Sequence, residues 1–423
     1  MRINVLYKGN LVGKVAEKDN KYYFKYEDTF IQSGIELSPL MMPLAKSLGK
    51  IYDFNHLYFN TFHGLPGLLA DAIPDKFGNE ILNTWLLKEG KTIEHLSSLE
   101  RLAYIGKRGM GALEFEPELN TEHKWTQNAI SLNELSDLSK LIVKNKSDKA
   151  LKINNQNLLT LFDVGTSAGG ARAKAVVLIN PRTMEILPEQ NKYVKGFAPS
   201  IIKFDTVSEK SNQSTNICLF EMAYYDMARK ADIDMMPSKL IEENNRFHFA
   251  TKRFDRTPKY EKIHTQTLCG IGHYNFRDFE QNSYEKLFYV ARTINVSYQE
   301  KVQLFKRMLF NVVCRNQDDH TKNFAFLYYN NKWRIAPAYD LVYNYDAKGL
   351  FTQLHKMSIN GKRDNFVWKD FEGIANDNAI KKPKEILEEV IEAAGLFPHI
   401  ASKYGINKEI SHKMHRTFRM KWN

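Results

Sequence analysis

The chain has 423 residues, enough for two or three domains of ordinary size. It is 43% hydrophobic and 26% charged, which excludes a disordered chain, and Cys218, Cys269 and Cys314 stand far apart with no CxxC pair, which excludes a disulfide framework and a cysteine-rich zinc site. Its 60 Lys+Arg against 49 Asp+Glu give a net charge of +11, a balance that suits a nucleotide, a nucleic acid or an acidic protein as partner, although a merely basic surface has the same count.

The opening, MRINVLYKGNLVGKV, has no signal-peptide apolar core, and no run of about 18 apolar residues appears, so a cytoplasmic protein without a membrane span is expected. INVLY, LVGKVAE and KYYFKYE predict strands, separated by turns at Gly9-Asn10 and Asp19-Asn20. A helix is expected from Ile81 to Leu87. After a polar connector at 117–130, Ser131 and Glu134 have capping-box spacing, and Leu132, Leu135, Leu138 and Leu141 form one apolar stripe. A domain boundary is placed there.

Next comes VGTSAGGARAKAVV, a small-residue loop with Gly165, Gly169 and Gly170, leading into a strand from Ala175 to Ile179. It is neither a Walker A loop nor GxGxxG; its backbone N–H groups could cradle phosphate, but the glycines alone equally describe a flexible turn. APSIIKFDT is another strand, with Lys203 on it. Leu219, Met222, Ala223 and Met227 share one face of a following helix that also carries Glu221. FATKRFDR reads as an edge strand. Thereafter the chain is mostly helical; KPKEILEEVIEAAG ends on Gly395, read as a left-handed helix terminator. A β-rich half thus precedes a helix-rich half, with no internal repeat.

Within the second half, KVQLFKRMLFNVVCRN predicts a buried helix that delivers NQDDHTKNFAF. This polar stretch admits three readings: a metal site, a catalytic loop or a solvated turn. The strand FAFLYY, the two-residue turn Asn330-Asn331 and the returning KWRIAPAYD predict a hairpin in which paired positions sum to 661. Asn323 then lies opposite Ala338, and Asp340 is a diagonal neighbour roughly 7–8 Å away. Oxygen-bearing side chains so placed suit Mg²⁺. Asp318 precedes Asn323 by five residues, the spacing of the kinase catalytic loop, in which the aspartate accepts the hydroxyl proton and the asparagine holds metal. The order of loop, lysine strand, glutamate helix, helices, D-x4-N and hairpin aspartate matches a kinase more than any single residue does.

HGLPGLLADAIPDKFGN, IGKRGMGALEFEPE, GTSAGGARAK, SIIKF, TKRFDR, DDHTKNFAF and APAYDL together resemble the HipA family of serine/threonine kinases, the toxins of HipBA-type toxin–antitoxin pairs. The resemblance implies an α+β, two-lobed protein-kinase-like fold with an added N-terminal β-rich subdomain: 1–130, then an N-lobe at 131–255 and a helical C-lobe at 256–423. It implies Asp318 as catalytic base, Asn323 and Asp340 on Mg²⁺, and Lys203 on the ATP phosphates. Gly169, Gly170, Ala171, Lys252, Phe254, Asp255, His320 and Lys322 would complete the nucleotide contacts, although Lys252 stands where the family can carry an acidic residue. Ser167 matches an autophosphorylation position, with Thr166 beside it. The implied partners are ATP, a translation-related protein such as an aminoacyl-tRNA synthetase, and a HipB-type antitoxin with DNA behind it. Two rival readings are a kinase-shaped co-regulator without catalysis, and a metal-dependent phosphohydrolase in which Asp318, Asp319 and His320 converge on one ion.

Overall fold

The computed structural model describes residues 1–91, 93–119, 131–143, 155–165, 172–189, 191–205 and 216–422. Ser167, Gly169, Gly170 and Ala171, with Thr166, lie outside the described residues. The chain divides into two compact units: 1–38, 42–218 and 238–265 in the first; 39–41, 219–237 and 266–423 in the second.

In the first unit, β1 (Arg2–Tyr7), β2 (Asn10–Lys18) and β3 (Lys21–Tyr26) form the expected antiparallel meander. Their alternating burial follows from the period-2 apolar pattern. The turns sit at Lys8-Gly9 and Asp19-Asn20, all four residues at positive φ, the geometry that matches strand twist. The first is thus one residue earlier than predicted, because Gly9 takes the second turn position rather than the first. Two further strands, β4 (Tyr52–Asp53) and β5 (Leu113–Glu116), complete a sheet of order β4-β3-β2-β1-β5. The helix predicted from Ile81 runs over Lys76–Lys88. The helix after Ser131 spans Leu132–Val143, and the Ser131 hydroxyl accepts from Glu134 N–H at 3.3 Å.

A second sheet in this unit has the order β7-β6-β8-β10-β9, from β6 (Lys174–Ile179), β7 (Ile186–Pro188), β8 (Ala198–Lys203), β9 (Ser238–Glu243) and β10 (Arg246–Lys252). The strand expected at the edge, β10, is therefore interior. The edge is β9, joined to it through Asn244-Asn245 at positive φ. Phe77, Ile81, Leu135, Leu161, Phe162, Val177 and Ile202 pack together beneath this sheet.

Between Thr265 and Gln266 the division crosses β11 (His264–Thr267). The second unit is helical around Tyr224, whose ring packs edge-on against Phe310, Phe397 and Phe418. Tyr298–Val313 is the predicted buried helix, opened by a Ser297/Glu300 capping box. The hairpin of β12 (Ala325–Tyr329) and β13 (Lys332–Ile335) has the predicted register, Phe326 opposite Ile335 through Tyr329 opposite Lys332, with Asn330 and Asn331 at positive φ. Gly395 is the last residue of Pro383–Gly395 and not a left-handed terminator: Leu396 follows in right-handed geometry and the helix Phe397–Lys403 starts at once.

Candidate active site

The buried helix Tyr298–Val313 ends at Cys314, and Arg315 then adopts φ +57, which turns the chain. Asn316 is pinned on both sides: its N–H donates to Asn311 O at 2.9 Å, its Nδ2 to Asn311 Oδ1 at 2.9 Å, and Asn344 N–H donates to Arg315 O at 3.0 Å.

From here the two adjacent aspartates diverge. Asp319 is fully buried. Its Oδ2 accepts from Tyr284 Oη at 2.8 Å and lies 2.9 Å from His355 Nδ1, while its Oδ1 accepts from Lys356 N–H at 2.7 Å. Burial alone would raise its pKa; the charge and hydrogen bond of His355, with the Lys356 and Tyr284 bonds, outweigh it and hold the carboxyl below the usual range. Asp318, in contrast, keeps 41% of its side chain exposed. Asp319 is thus anchored inward while its neighbour Asp318 stays on the solvent side.

After His320 a single 3₁₀ turn, Thr321–Asn323, brings the Asn323 side chain back: its Nδ2 donates to Asp318 O at 2.7 Å. That bond commits the amide nitrogen and leaves the amide oxygen as the atom of the side chain able to ligate a metal. His320 supports the turn through its carbonyl, which accepts from Asn323 N–H at 2.8 Å, and its ring lies edge-on to Phe276 at 5.5 Å. His320 Nε2 is 4.0 Å from Asp318 Oδ1. The histidine that meets Asp319 is His355, so Asp318, Asp319 and His320 do not converge as the phosphohydrolase reading requires.

The predicted hairpin register does not extend to Asn323. The ladder ends where Ala336 N–H donates to Ala325 O, Phe324 O is taken by Leu268 N–H, and Ala338 bridges Met235 instead. Asn323 and Ala338 nevertheless line one small cavity of about 10 Å³, with Arg307, Asn316 and Asp319. Arg307 donates to Ala336 O at 2.7 Å and Tyr339 Oη to Lys322 O at 2.7 Å, which tie the 336–340 segment to the loop. Asp340 follows, half-buried and at φ +57, a left-handed conformation that Asp adopts more readily than most residues. The turn therefore joins Asn323 to Asp318, and the Tyr339 tether fastens the segment that carries Asp340 to the same loop. Among the described residues no group of three or more His, Cys, Asp or Glu is placed to hold a metal. Two oxygen donors suit Mg²⁺ all the same, since it keeps waters and phosphate oxygens in its shell.

In the first unit, Lys203 closes β8, 8% exposed, directly opposite Phe249 on β10, with its ammonium 6.0 Å from that ring. Glu221, buried, lies on the helix Ile217–Lys230. Lys252 is exposed at the end of β10 and Phe254 is half-buried. Asp255, expected beside the nucleotide, belongs elsewhere. It is fully enclosed, with Oδ1 accepting from Arg253 Nε at 2.8 Å and Oδ2 from Arg253 Nη2, Arg256 Nη1 and Gly111 N–H. Burial opposes its charge, but the two guanidinium groups hold its pKa far below the usual carboxylate range. Glu189 completes the cluster on Arg253, and Arg256 also donates to Gly111 O and Gly109 O. With its oxygens so engaged, the Asp255 side chain serves this ion cluster rather than a ligand. The cluster, His355 and Tyr284 were not found by sequence reasoning; nothing local marks them.

Residues 3–116 match the family model of the HipA N-terminal domain, and residues 166–396 that of the HipA-like C-terminal domain. Two curated relatives are both named "Putative kinase". One, from Haemophilus influenzae, is 26% identical over 191 residues, 42% of this chain and 52% of that protein. The other, Y4dM of Sinorhizobium fredii, is 26% identical over 149 residues, 31% of this chain and 35% of that protein. The chain thus spans about half, or less, of the length of these relatives. Among solved structures, the HipA of Shewanella oneidensis MR-1, in a complex with HipB and its operator DNA, matches with a TM-score of 0.64 at 16% identity, covering 98% of this chain and 94% of that one. That likeness shows the fold, and the α+β, kinase-like class expected from the sequence holds.

Proposed function

Because the chain belongs to the HipA family, we propose that it is an ATP- and Mg²⁺-dependent protein serine/threonine kinase of a toxin–antitoxin pair. The observation that carries this reading is the loop at 317–323, where a buried Asp319 sets an exposed Asp318 and the Asn323 amide is fastened to the Asp318 carbonyl. A carboxylate fixed in this way is suited to accept the proton of an attacking hydroxyl.

In this reading Asp318 orients and deprotonates the acceptor hydroxyl. Asn323 and Asp340 would hold Mg²⁺, which supplies charge neutralisation for the phosphates. Lys203 would contact the phosphates, Lys252 and Phe254 the nucleotide, and His320 and Lys322 the loop's side of it. Gly169, Gly170 and Ala171 would cover the phosphates, and Ser167 would be the autophosphorylated residue. The division into 1–130, 131–255 and 256–423 belongs to the same reading. A translation-related protein, such as an aminoacyl-tRNA synthetase, is the proposed substrate class. A HipB-type antitoxin, and DNA through it, are the proposed partners; the solved relative is bound to both.

The test is incubation with labelled ATP and Mg²⁺, comparing wild type with Asp318→Ala. Label on a serine or threonine in the wild type alone is the expected result. Equal labelling of both removes Asp318 as base. Wild type that neither labels nor binds ATP turns the reading to a co-regulator acting through the antitoxin.

A further inference from the structure

Beside the loop at 317–323 runs the segment 274–279, which carries three aromatic rings, each with a cation over it. Lys286 Nζ is 5.1 Å from the Tyr274 ring. Phe276 has Lys322 at 4.8 Å and Arg277 at 5.0 Å. Phe279 has Lys356 at 4.0 Å and Arg363 at 5.4 Å. The row is built into the loop that holds Asp318: Thr321 Oγ1 donates to Tyr274 O at 2.9 Å, Lys356 N–H to Asp319 Oδ1, and Arg363 Nε to His355 O at 2.7 Å.

We propose that this cation-bearing aromatic row docks an acidic segment of the protein substrate, next to the hydroxyl that Asp318 activates. The proposal rests on the kinase reading above and names the substrate class it would take. Charge is the first argument. Besides Lys322 on the nucleotide side and the buried Lys356, three cations stand along the row, Arg277, Lys286 and Arg363, against Asp278 in the same segment and Glu280 just after it. Asp278 already accepts from Gln281 N–H, and Glu285 is turned to Asn360 N–H. The second argument is preorganisation. A cation resting on a ring face is fixed in place without losing its charge, so an incoming carboxylate meets a donor whose rotamer cost has been met in advance. The third concerns the rival occupant. Bases of a single-stranded nucleic acid need open ring faces to stack on. Here Phe276 and Phe279 already carry two cations each, so carboxylates fit better than bases.

The experiment uses the full chain and three synthetic acceptor peptides of one length, each with a single serine flanked by Asp/Glu, by Asn/Gln or by Lys. Binding is read by fluorescence anisotropy on Asp318→Asn protein without ATP, and turnover on the wild type. The acidic peptide should bind tightest and weaken with added salt. Arg277→Gln with Lys286→Gln should weaken acidic-peptide binding and raise its KM roughly five- to ten-fold, leaving kcat and the KM for ATP unchanged. Arg277→Gln alone, at an exposed position, should give part of that shift and guards against a folding defect. Equal binding of the three peptides, or of none, overturns the proposal. So does a rise confined to the KM for ATP, which would give the cations to the nucleotide, or displacement of the acidic peptide by single-stranded RNA at lower concentration than by itself. Acidic-peptide binding without any phosphate transfer counts against the kinase reading alone. Transfer indifferent to flanking charge counts against the docking row alone.

Discussion

Asp319→Ala is the substitution with the most to lose in the second unit. It removes the common acceptor of Tyr284 Oη, Lys356 N–H and the His355 ring, all buried. Each buried donor left without an acceptor costs about 1–3 kcal/mol, and breaking a buried charged pair from one side costs about 3–5 kcal/mol. These contributions overlap, because one carboxylate serves all three, so a total of about 3–5 kcal/mol is expected. For a unit of this size, 1 kcal/mol moves the melting midpoint by roughly 2–4 °C, so the loss is on the order of 10 °C. Asp319→Asn, which keeps an acceptor for Lys356 N–H, should lose about 1–2 kcal/mol. Calorimetry at neutral pH gives the midpoints, and hydrogen exchange at the Lys356 amide gives the local effect. Since the folded pKa of Asp319 is depressed, its contribution is whole above the unfolded value of about 3.9 and fades as pH falls through the lower folded value. The gap between wild type and Asp319→Asn should therefore close in strong acid. A midpoint for Asp319→Ala within 1–2 °C of wild type, with unchanged Lys356 exchange, would show that the loop is anchored by something else.

Arg253→Met should cost the first unit about 3–5 kcal/mol, because Glu189 and Asp255 lose the guanidinium they share; a thermal midpoint matching wild type contradicts this. Gly111→Ala should also destabilise. At φ +76 a Cβ is strained, and it would stand 3.1 Å from Thr265 N, so a normal melting curve would refute the account. Burial, chiefly, holds His248 and His264 uncharged down to about pH 4, against an ordinary 6.5. The unfolded chain takes up those protons first, so stability should fall from about pH 6.5 towards 4. The loss is at most about 3 kcal/mol for His264 and less for His248, and a urea midpoint flat between pH 7 and 5 excludes it. Lys203→Met should abolish nucleotide binding by calorimetric titration while leaving the melting midpoint within a few degrees.

What could be read from the chain was what is local. The turn Asn330-Asn331 permits only a two-residue connection, so the register of β12 and β13 followed from counting. Local patterning also placed the buried helix Tyr298–Val313 and the strands β1 to β3. β9 escaped because only Ile241 on it is buried, so SKLIEE shows no apolar face, although Asn244-Asn245 marks the hairpin. Gly395 misled because a glycine after an amphipathic run has two outcomes, and Pro398 one residue into the next helix decided this one. In the site, the Asp318–Asn323 spacing was legible because one turn joins them. The partners of Asp319 were not, since Tyr284 and His355 stand 35 and 36 positions away and each looks ordinary in its own stretch.

The ion cluster at Arg253, Asp255 and Arg256 has a consequence for the order of events during synthesis. Gly109 and Gly111 belong to the stretch matched by the HipA N-terminal domain, yet their carbonyls and the Gly111 N–H are taken by residues about 145 positions later, in the stretch matched by the C-terminal domain. Both stretches lie in one compact unit. On the ribosome, at roughly 5–20 residues per second, the 109–111 loop waits on the order of ten seconds for Arg256 to emerge. A fragment ending at residue 116 would carry that loop permanently without its partners, so the two sequence families name segments that this protein must complete together.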